Sequence, residues 1–519
     1  MQVTLDYEHP TTLIRHPDTA TLDFAVNRSR QPVQFYGRVK DPLLLRQMLL
    51  ALHEVMLSKE QGSADIDMVL DPTVTIQHDE IIFEAFSASG SCYAQLSAPL
   101  TAFEITSEVR YGTTTIDFAE DLHTILSELR SSRPTYLALG AARSGTQGYD
   151  RAKMTIDLAA KQLKGYLQVQ SALSLRNLYT IDVRPADLLT ISAFIQENRA
   201  TRSPKGLRYE LRKDEPITVV LEPWNKRFVL RETFYRGYDR TVRVWGRQRL
   251  RLLDAILPYA QRVTVGVLGR GLPHIYLCRC GPYRFQLALS GWATNDWSVG
   301  NAFDLLAPLA MSDPNSVNRV AAYLSEHLAA TRDGIAEATG LVTTDVEGAV
   351  FALCRSGRAM FDLATRQYRL RDLFAEPIDA ATLFGDNPRL VTAQRLFAEG
   401  RVTLDQDSVQ RNRTEARTNA TVRDGTEYAV TIAVADDGRL RYGRCHCPFF
   451  EANLMQRGPC EHILATRLAA DAAQQYSVPA SPALADAANI DEDDDTDADD
   501  DDTEMDDAES EGADETAEA

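Results

Sequence analysis

The stretch Cys445-His446-Cys447-Pro448-Phe449-Phe450, followed by Gly458-Pro459-Cys460-Glu461-His462-Ile463-Leu464-Ala465, decides how this chain is read. It spells a Cys-x-Cys pair, twelve intervening residues and a Cys-x-His pair. Three soft thiolates and one imidazole are the donor set of a tetrahedral structural Zn²⁺ site. Side chains alternate along a strand, so a Cys-x-Cys pair at a strand end turns both sulfurs to one side. A Cys-x-His pair entering a helix places both ligands at its first turn. The flanks predict those elements. Thr421 to Ala435 alternates as one strand, Asp437-Gly438 is a hairpin signal, and Arg439 to Arg444 returns as a second strand. Gly458-Pro459 predicts a turn, and Ile463 to Gln475 a helix with one apolar face. Read as ordinary buried cysteines, they would leave it to chance that three of seven cysteines meet a histidine at ligand spacing. His446, between two ligands, is expected to point away from the metal.

This arrangement, with Pro448-Phe449-Phe450 and the run from Gly458 to Ala465, resembles the SWIM zinc finger over roughly residues 400–472. The resemblance implies that Cys445, Cys447, Cys460 and His462 are the four ligands of one structural Zn²⁺. Leu289-Ser290-Gly291-Trp292 with Asn295-Asp296-Trp297 is similar to bacterial SWIM-containing proteins of about this length. SWIM units occur in chromatin-remodelling ATPases and transposase-derived factors and are associated with DNA or protein binding. The implied partner is therefore DNA or another protein, including a separate ATPase subunit beside which this chain would be an accessory or adaptor. Four protein ligands leave no open coordination position, so the expectation is a non-enzymatic interaction module.

The 519 residues exceed one ordinary core, and the pattern predicts an α+β multidomain chain. No apolar run reaches membrane-spanning length, so no membrane association is expected. The first residues lack a basic start and apolar core, and seven sparse cysteines suit a reducing compartment, so the expected location is the cytoplasm. The formal charge of −19 is misleading. Residues 491–519 carry eighteen Asp or Glu and no Lys or Arg, and the rest of the chain is nearly neutral. Residues 476–519 read as a disordered linker and acidic tail, which serves solubility or covers a basic surface in cis. Residues 201–290 carry eighteen Lys or Arg against seven Asp or Glu, interleaved with Trp224, Phe228, Phe234, Tyr235, Tyr238, Trp245, Tyr283 and Phe285. Such a segment is either a phosphate-binding, base-stacking surface or a solvated strand face over an aromatic core.

The expected divisions are an α/β domain at 1–130, a second at 131–300, a winged-helix-like unit at 315–374, and the zinc unit at 395–475. Val33 to Arg38 before a Leu-rich helix echoes Val242 to Arg247 before Leu250 to Leu257, a pattern of a duplicated α/β unit. In the middle unit, helices Val317 to Leu328, Thr331 to Ala338 and Thr343 to Arg355 precede a two-stranded wing. That order is used by major-groove readers and by protein-interaction modules alike. The third helix opens with Thr343-Thr344-Asp345 and carries Glu347, a poor approach to phosphate. The wing offers Arg366, Arg369 and Arg371 as nucleic-acid contacts, and the zinc unit offers Arg441 and Arg444, with Arg457 and Arg467 nearby. Across 401–470, ten Lys or Arg face nine Asp or Glu, so no strong field is expected there.

Other motifs fail. Cys278-Arg279-Cys280, with His274 before it, has no second ligand pair in range. Gly266, Gly269 and Gly271, like Gly140, Gly145 and Gly148, lack the following Gly-Lys-Ser/Thr of a phosphate loop. Nucleophile-elbow and HExxH patterns are absent from the sequence.

Overall fold

Strand-forming runs rich in Val, Ile, Tyr and Phe, scattered from residue 73 to residue 289, assemble into one eight-stranded antiparallel sheet. The computed structural model describes residues 2–7, 9–30, 32–58, 71–118, 122–140, 154–157, 160–173, 179–202, 205–236, 239–267, 273–290, 297, 313–373, 387–411, 415–435, 440–453, 455 and 458–473. The sheet runs Tyr179–Val183, Arg262–Val267, His274–Cys280, Tyr283–Leu289, Cys92–Pro99, Glu80–Phe86, Thr73–Ile76, Gly112–Thr115. Its middle seam pairs Phe285 with Leu96 and Leu287 with Ala94. Strands from both sides of the expected boundary at residue 130 thus share one sheet. One buried cluster reaches from Leu22 to Leu289. The division at 130 is therefore corrected: it does not separate two cores.

The two halves of the sheet repeat one plan. Phe35–Val39, the helix Pro42–Leu57 and a three-strand meander match Arg240–Val244, a 3-10 segment Arg247–Leu253 and a second meander. The meanders meet antiparallel where Cys92–Pro99 pairs with Tyr283–Leu289. Asp41 caps the first helix by accepting from the Leu44 amide, Pro42 fits its first turn, and Leu45, Met48, Leu49, Leu52 and Met56 bury one face. The stretch Leu250 to Leu257, which echoes the Leu-rich helix, is instead part of two 3-10 segments, Arg247–Leu253 and Leu257–Tyr259.

The opposite face of the sheet receives the helix Ala160–Leu173. The Tyr166 hydroxyl lies 3.2 Å from the Thr73 hydroxyl, and its ring meets Phe86 and Tyr93 edge-on. The unit at 313–373 lies beyond it. It has helices Pro314–His327, Arg332–Thr339 and Thr343–Arg355 and a three-stranded sheet of Ala329–Ala330, Gln367–Leu370 and Ala359–Asp362. Asp313 and Thr331 cap the first two helices, and Gly340 (φ 66°) ends the second in the left-handed region. Val320, Leu324, Ile335, Val346, Val350 and Leu353 form its core.

The C-terminal unit is a four-stranded antiparallel sheet in chain order, Val402–Arg411, Glu415–Asp424, Thr426–Ala435 and Leu440–Arg444. The helices Pro388–Ala398 and Glu461–Ala472 cover one face, against Val422, Val430, Ile432, Val434 and Leu440. The single strand expected from Thr421 to Ala435 is corrected: it breaks at Gly425 (φ 75°), and Asp424 pairs across the turn with Thr426. Asp424-Gly425 is a turn signal of the same kind as Asp437-Gly438, and the latter lies outside the described residues. The expected disordered tail at 476–519 also lies outside them. Among the described residues, no helix is long and apolar enough to cross a membrane.

Candidate metal centre

Cys445 and Cys447 stand just past the end of the strand Leu440–Arg444, and Cys460 is the N-cap residue of the helix Glu461–Ala472. The Cys460 side chain makes no capping hydrogen bond, so its sulfur is available for other use. His462 follows in the first turn. Strand alternation buries both cysteines and leaves His446 exposed, turned away from the cluster. All four ligand atoms lie within 4.8 Å of one another, and all four residues are buried. Cys445 Sγ is 3.8 Å from His462 Nδ1. Two donors on one tetrahedral zinc, at ~2.3 Å for sulfur and ~2.0 Å for nitrogen, are ~3.5–3.8 Å apart. The donor set and its spacing thus fit one metal ion.

The surroundings prepare the thiolates. A hydrogen bond from Cys460 draws the Cys445 thiol down to about 4 against the opposing pull of burial, with His462 adding to it. Cys460 also draws Cys447 down, to about 7, and as the shared donor is itself pushed up. Burial works against the His462 imidazolium, but contacts with Cys445 and Cys447 outweigh it and raise the ring to about 9. The Phe450 amide donates to Cys447 Sγ at 3.4 Å. In this arrangement protons hold together a cluster that a cation would hold instead, since metal ligands bind deprotonated.

Three further residues shape the centre. Arg389, on the helix Pro388–Ala398, donates to the Pro459 carbonyl at 2.8 Å and lies over the Phe449 ring, so it ties down the turn that delivers Cys460. Gly443 lets the last helix approach: a Cβ there would stand 3.0 Å from Ile463 Cδ1. Asp424 Oδ2 faces His462 Nε2 at 3.6 Å. Sequence reasoning found none of the three, and only Asp424 carried a signal, the Asp-Gly turn.

The arginines expected to touch nucleic acid divide. Arg366, at the tip of the hairpin, and Arg444 are exposed. Arg441 lies on the strand Leu440–Arg444 with its side chain outside the described set, and Arg457 is outside it too. Arg467 is buried, 3.6 Å from Asp471. Arg369 and Arg371 are corrected: both are fully buried and face the large sheet, not solvent. Arg369 donates to Asp79 at 2.9 Å and to Asp362 at 3.0 Å and pairs with Glu80 at 3.0 Å. Arg371 donates to Glu84 at 2.7 Å beside the Tyr166 ring. Two residues apart on an extended segment, they project from one face. That face is docked.

The basic segment is similarly occupied. Arg227, Arg243, Arg212 and Arg262 pair with Glu210, Glu222, Asp239 and Asp182. Tyr283 and Phe285 are core residues, and Trp224 lies under the Arg247 guanidinium at 4.5 Å. Phe234 remains exposed, and Tyr238 is outside the described residues. Cys278 and Cys280 lie buried in the large sheet, where burial pushes both thiols up, Cys280 to about 12. Among the described residues, the cluster at 445–462 is the one group of three or more such side chains placed to hold a metal.

No protein-family model matches the chain, and no curated protein matches it. Among the solved structures that share a distant likeness are the following two. Proliferating Cellular Nuclear Antigen from Entamoeba histolytica is 12% identical, covering 49% of this chain and 98% of that chain, with a TM-score of 0.34. A PCNA2-PCNA3 complex from Sulfolobus tokodaii is 8% identical, covering 50% of this chain and 99% of that chain, with a TM-score of 0.32. At these scores neither likeness carries an argument about fold or function.

Proposed function

We propose that this chain is a non-enzymatic, SWIM-type interaction protein in which Cys445, Cys447, Cys460 and His462 hold one structural Zn²⁺. The observation that carries this reading is the closed, buried set of four protein ligands. An ion so held keeps no position for water or substrate, and the chemistry it supplies is a cross-link. Here the link would join a strand end to a helix start and so fix the surface a partner meets. The unit at 313–373 is read as a winged helix that acts as a strut.

Of the two partner classes, protein is favoured over nucleic acid. Arg369 and Arg371 are held by carboxylates of the large sheet, and several arginines of 201–290 have acidic partners. Among the members whose side chains are described, Arg366 and Arg444 are exposed. A role as accessory subunit of a separate ATPase machine agrees with a sequence that carries no phosphate-loop motif of its own. Binding of the zinc-loaded protein to duplex and single-stranded nucleic acid, titrated with salt and repeated without residues 486–519, tests the choice. Absence of binding at low salt in both forms supports a protein partner. Affinity that falls steeply with salt overturns that preference in favour of nucleic acid.

A further inference from the structure

We infer that Asp424 is a positioning residue of the metal centre: backed by Arg395, its carboxylate holds His462 in the tautomer that presents Nδ1 to the metal. This rests on the proposed metal reading and adds to it a fifth side chain outside the ligand set. The two ring nitrogens of His462 have opposite surroundings. Nδ1 faces the cysteine cluster, 3.8 Å from Cys445 Sγ. Nε2 is buried without a hydrogen-bond partner and points at Asp424 Oδ2, 3.6 Å away. A ring set between a metal and a carboxylate carries its proton on the carboxylate side, because the lone pair must face the metal. Closing 3.6 Å to a hydrogen bond needs a shift of under ~1 Å. Asp424 is about a third exposed.

The neighbours hold both groups in place. The Tyr428 ring lies 4.3 Å from the His462 ring, centroid to centroid, and limits its rotation. Arg395 Nη2 is 3.6 Å from Asp424 Oδ1, the oxygen not aimed at His462. Gly425, left-handed at φ 75°, makes the turn that brings Asp424 to the histidine. Three elements distant in sequence therefore meet behind one ligand: the helix Pro388–Ala398, the hairpin turn at 424–426, and the start of the helix Glu461–Ala472. A carboxylate behind a ligand imidazole fixes its orientation and strengthens its lone pair. Losing one typically weakens metal binding by about 10–100-fold.

A residue that merely shaped the turn would predict something else, because asparagine and aspartate serve a turn before glycine equally well. The test uses the full chain, Zn²⁺ alone as the probe, competition with a chromophoric chelator, and nitrogen-15 NMR of the His462 ring. In the zinc-loaded wild type the ring should carry its proton on Nε2. Asp424→Ala should still take up one Zn²⁺ but bind it about 10–100-fold more weakly. Asp424→Asn, which keeps the turn, should fall between the two, and Arg395→Ala should weaken binding less than Asp424→Ala. If Asp424→Ala fails to fold, the Asn and Arg395 variants decide the matter through affinity and ring signals. A wild type that binds Zn²⁺ with the proton on Nδ1, or Asn and Arg395 variants matching it in affinity and ring signals, overturns the inference and leaves the metal reading standing. A wild type that takes up no Zn²⁺ overturns both.

Discussion

The metal centre and the hairpin at 359–370 both bury side chains that water would otherwise solvate, yet they are closed in opposite ways. At the centre, four donors from residues 445–462 converge within 4.8 Å and have chiefly one another for company. On the proposed reading, a cation from outside completes them. At the hairpin, Arg369 and, just beyond the strand, Arg371 bring the cations, and Asp79, Glu80 and Glu84 supply the anions from the other end of the chain. There the opposite charges both come from the chain itself. On the proposed reading the first device would make a small unit depend on a metal, whereas the second ties the hairpin to the large sheet by ion pairs.

The largest effect expected from breaking this contrast comes from Cys460→Ala. Metal binding in such units is also folding energy, on the order of 10 kcal/mol in zinc-finger peptides. The variant should lose Zn²⁺ and expose residues 400–472 to protease while the eight-stranded sheet stays resistant. Limited proteolysis with metal analysis reads both. A mutant that kept its metal and its protease resistance would show the ligand assignment to be wrong.

Arg371→Met comes next. It removes the cation from a fully buried ion pair with Glu84, and breaking such a pair by losing one member costs about 3–5 kcal/mol. Thermal unfolding should show a lowered transition for the large sheet with metal content unchanged, and adding Glu84→Gln should recover part of the loss. An unchanged transition would mean that the hairpin does not lock onto the sheet.

Acid should separate the two devices further. Protons compete with the metal for thiolates and imidazole, so Zn²⁺ should leave as pH falls from 7 towards 5. Around the hairpin the signs differ. Burial opposes ionisation of Asp362, but Arg369 and Arg284 hold its carboxyl below the usual 3.8, so its contribution is lost only as pH falls below that value. Burial raises Glu80 to about 7 in spite of Arg369 and Arg284. A raised acid favours the folded state increasingly as pH falls from 7 towards its ordinary value of 4.5. Between pH 7 and 5 the C-terminal unit should therefore loosen while the hairpin holds, as hydrogen exchange of the two regions would report. Simultaneous loosening would contradict the separation.

The smallest effects belong to the exposed arginines. Arg366→Ala and Arg444→Ala should change stability by no more than about 0.5 kcal/mol. If either touches phosphate, each loss should lower the salt slope of nucleic-acid binding by about 1. Unchanged slopes would fit the preference for a protein partner.

What could be read from the sequence follows the same contrast. Cys445, Cys447, Cys460 and His462 were legible because their geometry is set by strand alternation and a helix start, both local to the chain. Arg369 and Arg371 were legible only as cations. Apart from Asp362, their carboxylate partners lie close to 290 residues earlier, and no local pattern distinguishes a docked strand face from a wet one. The boundary expected at 130 failed for the same reason, since the pairing of Cys92–Pro99 with Tyr283–Leu289 is non-local. The echo between Val33 to Arg38 and Val242 to Arg247 did point to the repeated plan, though the second helix is replaced by 3-10 turns. Asp424 was hidden because alternation continues on both sides of Gly425, so a hairpin reads as one long strand.

The most direct test of the central claim is X-ray absorption at the zinc edge of the purified full-length protein, with metal content measured on the same sample. One zinc per chain is expected, with three sulfurs at ~2.3 Å and one nitrogen at ~2.0–2.1 Å. A protein without stoichiometric zinc, or a metal shell of oxygen and nitrogen without three sulfurs, would contradict it.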